Sequence, residues 1–277
     1  MAGVDCSAPR IDRGRTALSR EQGKLMTKVD GIIIASGTIS DPGFRSAAGV
    51  DCKSLISLNG KPMVQWVAEA LKSAQTIGSV VAIGPPVIAE MEVARLAEQV
   101  LPEEAHEVDN LMRGMDVLPD AERILMVTSD MPLLTPEAID DFILNAPDAD
   151  IVYPTVAKED VLAQFPDRKW VFAKAKEGEF TGSSAFMFCP ESLRSNRETL
   201  RKVFDSRRSV ADLVRMWGLG FALKFALGQL SLSDAERHIS EVLGINGRAY
   251  ISHYPELAFD VDKVADISLA EERLKDR

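Results

Sequence analysis

Two stretches of this 277-residue chain run from apolar residues into carboxylates. In Thr128-Ser129-Asp130-Met131-Pro132-Leu133-Leu134-Thr135-Pro136-Glu137, an apolar run ends at Asp130. Thr135 and Pro136 then supply an N-cap and a first helical residue for a helix to about Leu144. A carboxylate at a strand's C-terminal end is placed to bind Mg2+, an ion that takes few protein carboxylates and completes its shell with water and phosphate oxygens. A turn-forming Asp would read the same way. Near the C-terminus, Phe259-Asp260-Val261-Asp262 alternates, so that both acids share one face at the end of a short strand. Such a pair repels unless a cation or donor lies between. With Asp130 it would make a two-sided metal site; alternatively, Asp262 or Asp266 only caps the last helix.

A third stretch suits phosphate. Ser36-Gly37-Thr38-Ile39-Ser40 follows an apolar run, and a loop of small residues lets backbone N–H groups approach phosphate oxygens. Neither GxxxxGK[ST] nor GxGxxG occurs there, and a Ser-Gly turn alone describes many connecting loops. Lys53 follows this loop and precedes Leu55–Leu58, where it reaches phosphates as a compact charge. Asn59-Gly60-Lys61-Pro62 turns into a helix, with Pro62 at its start. Lys61 suits an exposed turn as well as a site.

The elements that must hold these residues are readable from apolar runs. Gly31–Ala35, Val80–Gly84, Ile124–Thr128 and Ile151–Pro154 are continuous apolar strands, the pattern of a sheet covered on both faces. Helical periodicity runs between them over 62–74, 87–100 and 110–118. Strand alternating with helix predicts an α/β fold with a mostly parallel sheet. Beyond residue 158, Trp170–Ala173, Ser184–Phe188 and Ala249–Ser252 predict further strands, and Ala265–Lys275 a closing helix. Residues 190–243 form a helical insertion broken by Gly218, Gly220 and Gly228. Its apolar residues could cap the site, dock on the sheet or form a homodimer face. Residues 1–28 lack both apolar periodicity and a signal-like core, and are expected to be a flexible leader.

Composition narrows the function classes. A 46% hydrophobic chain buries a substantial core, yet no apolar run approaches the roughly 20 residues of a membrane helix. Acidic residues outnumber basic ones 42 to 32, giving a net charge of −10 that argues against wrapping nucleic acid. An anionic ligand would then need a divalent cation or a local cluster of Lys and N–H donors. Three cysteines without a close pair suggest neither a disulfide framework nor a thiolate zinc site, and fit a reducing cytoplasm. The three histidines show no metal-ligand spacing.

Taken in order, Gly31–Gly37, Lys53, Asn59–Pro62, Asp130-Met131-Pro132-Leu133 and Asp260-Val261-Asp262 resemble the MobA-like nucleotidyltransferases of the nucleotide-diphospho-sugar transferase superfold. The resemblance is good over 29–158, moderate over 180–188 and 249–275, and absent from the helical insertion. It implies one nucleotidyltransferase domain over 29–277 with an insertion at about 190–245. The fold implied is a three-layer α/β/α one with a mixed, mostly parallel sheet, Rossmann-like and of the GT-A type. By the same resemblance, Ala35, Ser36, Gly37 and Thr38 would hold the nucleotide, and Lys53 its phosphates. Asn110 would lie near base or ribose, Asp130 and Asp262 would bind Mg2+, and Thr181 and Gly182 would lie near the acceptor. The family loop is usually Leu-Ala-Gly-Gly followed by an Arg-containing segment; here Ser36 replaces its first glycine, and Arg45 is the nearest arginine.

The reaction implied is transfer of an NMP group from an NTP to a phosphorylated small molecule, such as a sugar phosphate or a molybdopterin-like compound, with release of pyrophosphate. Catalysis then rests on Lys53 and Asp130. Two rivals stay open: a glycosyltransferase of the same superfold, for which an Asp-x-Asp would be expected where Ser129-Asp130-Met131 stands, and a non-catalytic nucleotide-binding module.

Overall fold

The computed structural model describes residues 28–206, 210–275 and 277. The expected leader therefore lies outside the described residues except for Lys28. The strands are β1 (Val29–Ile34), β2 (Ser57–Leu58), β3 (Lys61–Pro62), β4 (Ile77–Gly84), β5 (Gln99–Pro102), β6 (Ile124–Thr128), β7 (Ile151–Ala157), β8 (Ala173–Ala175), β9 (Gly178–Gly182), β10 (Ala185–Phe188) and β11 (Gly247–Ser252). The helices of the first half are α1 (Pro42–Ala48), α2 (Met63–Ser73), α3 (Val93–Leu96), α4 (Glu107–Asp116), α5 (Pro136–Asn145) and α6 (Lys158–Gln164). Those of the second half are α7 (Pro190–Ser195), α8 (Arg197–Ser206), α9 (Val210–Trp217), α10 (Leu219–Ala226), α11 (Leu232–Leu243) and α12 (Val264–Arg273).

Nine strands form one sheet in the order β5-β4-β1-β6-β10-β7-β9-β8, with β11 also paired to β7. Only β9 and β10 run against the other seven, so the sheet is mixed and mostly parallel. Its faces explain the continuous apolar strands. Ile33, Ala82 and Val127 face a core with Val67 and Leu71 of α2 and Phe142 of α5. Their neighbours Ile32, Ile83 and Met126 face the opposite core with Leu111 and Met115 of α4. Neither face of a central strand meets solvent, so alternation with polar residues is lost. Burying Ile32 and Ile33 completely, one on each face, contributes about 1.5–3 kcal/mol apiece. Helices α7, α8 and α11, between β10 and β11, extend the second face through Leu193, Leu200 and Leu243.

Two expectations change. The periodic stretch 87–100 is a 3₁₀ turn (Pro86–Glu90), the single turn α3 and then strand β5, because Pro85-Pro86 restarts the chain after β4 and the β-branched end at Val100 pairs with Ala82. Of the predicted strand Trp170–Ala173, only Ala173 joins the ladder; Trp170 instead packs on Phe165, with ring centroids 6.0 Å apart.

Gly114 sets how closely α4 approaches the sheet: a Cβ there would lie 2.8 Å from the Ile32 Cδ1 and 2.9 Å from the Ile83 Cδ1. On the opposite face, Asp140 of α5 accepts hydrogen bonds from the Gln75 N–H (3.0 Å), the Thr76 N–H (2.8 Å) and the Thr76 hydroxyl (2.6 Å). Burial works against the charge, but these donors outweigh it and hold the Asp140 carboxyl below its usual range. A lowered folded pKa contributes stability that is present above the unfolded value, about 3.9, and lost as pH falls through the folded one. Asp140→Ala is therefore expected to cost about 1–2 kcal/mol at pH 7. In urea unfolding series, the gap to the unsubstituted protein should narrow below about pH 4.

Candidate active site

At the carboxyl ends of β1 and β6 lies a cleft of about 1180 Å³, where open α/β sheets bind ligands. Strand β1 delivers Ser36, Gly37 and Thr38 to its floor, and β6 delivers Thr128, Ser129 and Asp130. The two strand ends are tied together, since the Ser129 N–H donates to the Ile34 carbonyl at 3.0 Å. Ala35 is fully buried and donates its N–H to the Ile83 carbonyl at 2.7 Å, so it anchors the loop from beneath. Gly37 adopts a φ of 101°, a conformation that favours glycine, and its N–H donates to the Glu103 carboxylate at 3.1 Å.

The centre of the site is Lys53. Its short 3₁₀ turn, Lys53–Leu55, sends the ammonium between two carboxylates distant in sequence: Asp130 Oδ2 at 3.0 Å and Asp262 Oδ1 at 2.6 Å. Burial disfavours the charged lysine, but Asp130 and Asp262 outweigh it and hold its pKa above the ordinary lysine range. The other oxygen of Asp130 accepts the Thr128 hydroxyl at 2.5 Å, which orients the carboxylate from within its own strand.

The third acid is handled separately. Segment 259–262, after the 3₁₀ turn Pro255–Ala258, is extended but not a strand: it joins no ladder, and its Val261 N–H donates to the Asp130 carbonyl of the strand-end loop at 2.9 Å. Asp260 binds Arg168 Nη2 at 2.8 Å and the Ser184 hydroxyl at 3.1 Å. Burial, then Asp262 and Asp130, push the Asp260 carboxyl above its usual range, against the pull of Arg168. Arg168 also donates through Nε to Asp266 at 3.1 Å, while its guanidinium lies 4.2 Å from the Trp170 ring and 4.8 Å from the Phe259 ring. Asp266 in turn accepts the backbone N–H groups of Asp262 and Lys263, both at 3.0 Å. Asp266 is thus the acid at the helix start, and the Asp262 carboxylate is left to Lys53.

Other expected residues take different places. Asn110 is 1% exposed, donates to the Ser36 hydroxyl at 3.1 Å and accepts the Glu104 N–H at 2.6 Å. It lines the cleft while bracing the Ser36 loop. Thr181 and Gly182 pair with Val156 and Thr155 in the β9–β7 ladder, and the lining resumes only at Ser183 and Ser184, where the chain passes from β9 to β10. A Cβ at 182 would stand 2.3 Å from the Tyr153 hydroxyl oxygen, so a larger residue there would displace that ring. Arg45 turns to the Ile39 carbonyl and does not line the cleft. The helical region between β10 and β11 reaches the site directly, through Leu200, Val203, Phe204 and Leu243. Arg197 and Arg201 tie it to Asp109 of α4, each at 2.7 Å.

Sequence reading missed Glu103, Tyr153, Ser184 and Arg168. Glu103 carries no signal like that of Asp130, because the short, half-exposed strand before it, Gln99–Pro102, is hidden in a stretch with helical spacing. Arg168 carries none, because its two partners lie more than ninety residues away.

Asp130 and Asp262 suit a hard divalent cation: both present oxygen to one point, now filled by a cationic nitrogen. Among the described residues, no group of three or more His, Cys, Asp or Glu could hold a metal alone. The rest of such a shell would come from water and phosphate. Among the described residues, no helix is long and apolar enough to cross a membrane.

Residues 31–216 match the family model of the MobA-like NTP transferase domain. A hypothetical transferase from Thermus thermophilus is 34% identical and superposes with a TM-score of 0.77, over 87% of this chain and 99% of that one. CMP:2-keto-3-deoxy-manno-octonic acid synthetase, solved with CTP, shares the fold at 16% identity and a TM-score of 0.56, over 88% of this chain and 97% of that one. So does 4-diphosphocytidyl-2C-methyl-D-erythritol synthase from Anaerococcus prevotii, at 11% and 0.55, over 90% of this chain and 97% of that one. No match is found among curated proteins.

The clamp on Asp260 and Asp266 makes a stability prediction. Arg168→Ala should cost about 3 kcal/mol in denaturant unfolding, the low end for breaking a buried ion pair, since Asp260 keeps Ser184. Arg168→Lys should recover only part of the loss, because an ammonium cannot fork to both acids as a guanidinium does.

Proposed function

This chain belongs to the MobA-like NTP transferase family of nucleotidyltransferases, and on that premise we propose that it transfers an NMP group from an NTP to a phosphorylated small-molecule acceptor in a Mg2+-dependent reaction. The observation that carries the reading is the placement of the Lys53 ammonium between Asp130 and Asp262 at the mouth of the cleft. An acceptor phosphate oxygen attacks the α-phosphorus; the new P–O bond forms as the bond to the α,β-bridging oxygen breaks, and pyrophosphate leaves. The acceptor is already anionic, so no side chain need remove a proton from it. Catalysis then lies in alignment and in offsetting negative charge on the leaving group.

Each residue has a part in that task. The Ser36–Thr38 loop supports the nucleotide, with the Gly37 N–H exchanging Glu103 for a ligand oxygen. Asn110 keeps Ser36 in position. Lys53 leaves the carboxylates for the phosphates, and Asp130 and Asp262 then hold the cation. Mg2+, when bound there, supplies charge neutralisation at the phosphates. The acceptor class is supported by the polar edge formed by Ser183, Ser184 and Tyr153 on the far side of the cleft. A sugar phosphate or a molybdopterin-like compound fits that description.

Pyrophosphate release, assayed across NTPs with pooled sugar phosphates, tests the reading; release of a nucleoside diphosphate from a sugar nucleotide would instead favour the glycosyltransferase. Asp130→Ala should reduce turnover by more than tenfold, a loss above about 1.4 kcal/mol of transition-state stabilisation, with the thermal unfolding transition retained. A variant keeping more than a tenth of the activity would remove Asp130 from the mechanism. Lys53→Ala should weaken NTP binding in calorimetry more than NMP binding, because only the longer phosphate chain loses a charge-assisted contact. Equal weakening would make Lys53 structural.

A further inference from the structure

The lining of the cleft changes character from one side to the other. Among the described residues its charged side chains, Lys53, Glu103, Glu104, Glu107 and Asp130, all precede residue 131. After Asp130 the lining consists of Tyr153, Ser183 and Ser184 at one edge and a wall of apolar side chains, Ile151, Phe186, Leu200, Val203, Phe204 and Leu243. Helix α8 contributes only positions 200, 203 and 204, a spacing that places them on one face, although its sequence is mostly charged. Ile151, Phe186, Val203 and Phe204 are half-buried, so part of each stays open to the cleft. The wall is also fixed in place. Arg197 and Arg201 hold α8 to Asp109 of α4, each at 2.7 Å, and Phe186 rests on Phe188 with ring centroids 5.5 Å apart. An apolar surface held open inside a cleft with a few polar groups is the place of an apolar ligand group.

Position in the sheet says which substrate meets this wall. The strand order β1-β6-β10-β7, at about 4.8 Å a step, puts the strands of Phe186 and Ile151 roughly 10 and 14 Å from β1, whose end carries the Ser36–Thr38 loop. Asp130, at the end of β6, stands between the loop and the wall. The wall therefore lies on the acceptor side of the phosphates. The polar edge beside it has few donors to spare. The Tyr153 hydroxyl donates to the Ser183 carbonyl at 2.7 Å and the Ser184 hydroxyl to Asp260 at 3.1 Å, while the Ser183 hydroxyl accepts the Ala185 N–H at 3.0 Å. A charged group on the body of the acceptor would meet no opposite charge on this side. A hydroxyl laid on the wall would give up water without gaining a partner, which costs free energy. Lys53 and a cation at the mouth match the acceptor's phosphate, and the wall matches what the phosphate is attached to.

Resting on the transfer reaction proposed above, we infer that the acceptor is a phosphate monoester whose body is uncharged and presents an apolar face, aryl or branched alkyl, to Phe186, Val203 and Phe204. The test is calorimetric binding to the full chain, with Mg2+ present, of phenyl phosphate and glucose 1-phosphate, monoesters that differ only in the body. Phenyl phosphate should bind at least about tenfold more tightly. Val203→Ser and Phe204→Ala, each checked for a retained thermal unfolding transition, should weaken phenyl phosphate binding by about threefold or more and leave glucose 1-phosphate and NTP binding unchanged. Absence of phenyl phosphate binding would overturn the inference, as would binding no tighter than that of glucose 1-phosphate, a comparison that needs no variant. So would variants that weaken NTP binding as much as phenyl phosphate binding, since the wall would then hold the base. The readout is binding, so a chain that shows this preference yet releases no pyrophosphate from any NTP would contradict the transfer reaction and leave the apolar site in place.

Discussion

Three carboxylates, Asp130, Asp260 and Asp262, converge at one end of the sheet, where their mutual repulsion must be offset. Two cations share that work. Lys53 bridges Asp130 and Asp262, and Arg168 takes Asp260. Burial first, then the charges of Asp262 and Asp130, push the Asp260 carboxyl above its usual range. Lys53 comes from the loop after β1, Asp130 from the end of β6, and Asp262 from the segment before α12. One ammonium therefore joins three parts of the chain that nothing in local sequence brings together.

The sheet makes this convergence possible. Its strands β1 and β6 are adjacent and parallel, so the residues after both emerge at the same edge. Strand β7 shares one side between β10, opposite residues 151–152, and β9, opposite 155–157. The chain between those strands, Ser183 and Ser184, consequently opens onto the cleft across from the Ser36 loop. The cleft is closed by apolar residues of α8 and α11, so the helices between β10 and β11 form a wall of the site.

Much of this was legible in the sequence for a physical reason. A central strand buried on both faces must be apolar throughout, and Gly31–Ala35 and Ile124–Thr128 announce this in a few residues. Asp130 stood out because a charge ending such a strand must sit at the sheet's edge. Short edge elements were less readable: residues 87–100 have apolar spacing compatible with a helix, and only the Pro85-Pro86 break and the pairing to β4 divide them. Arg168 and the division of labour between Asp262 and Asp266 were out of reach. Both depend on contacts across about a hundred residues or on which of two nearby acids meets the backbone, and no periodicity encodes either.

The central claim is that Lys53 and a divalent cation take turns at the same two carboxylates. The most direct measurement is Mn2+ binding, followed by electron paramagnetic resonance without nucleotide, in the unsubstituted protein, Lys53→Ala and Lys53→Ala/Asp262→Asn. Removing the ammonium should tighten Mn2+ binding, and removing Asp262 as well should cancel the gain. Binding that stays the same or weakens in Lys53→Ala would contradict the account.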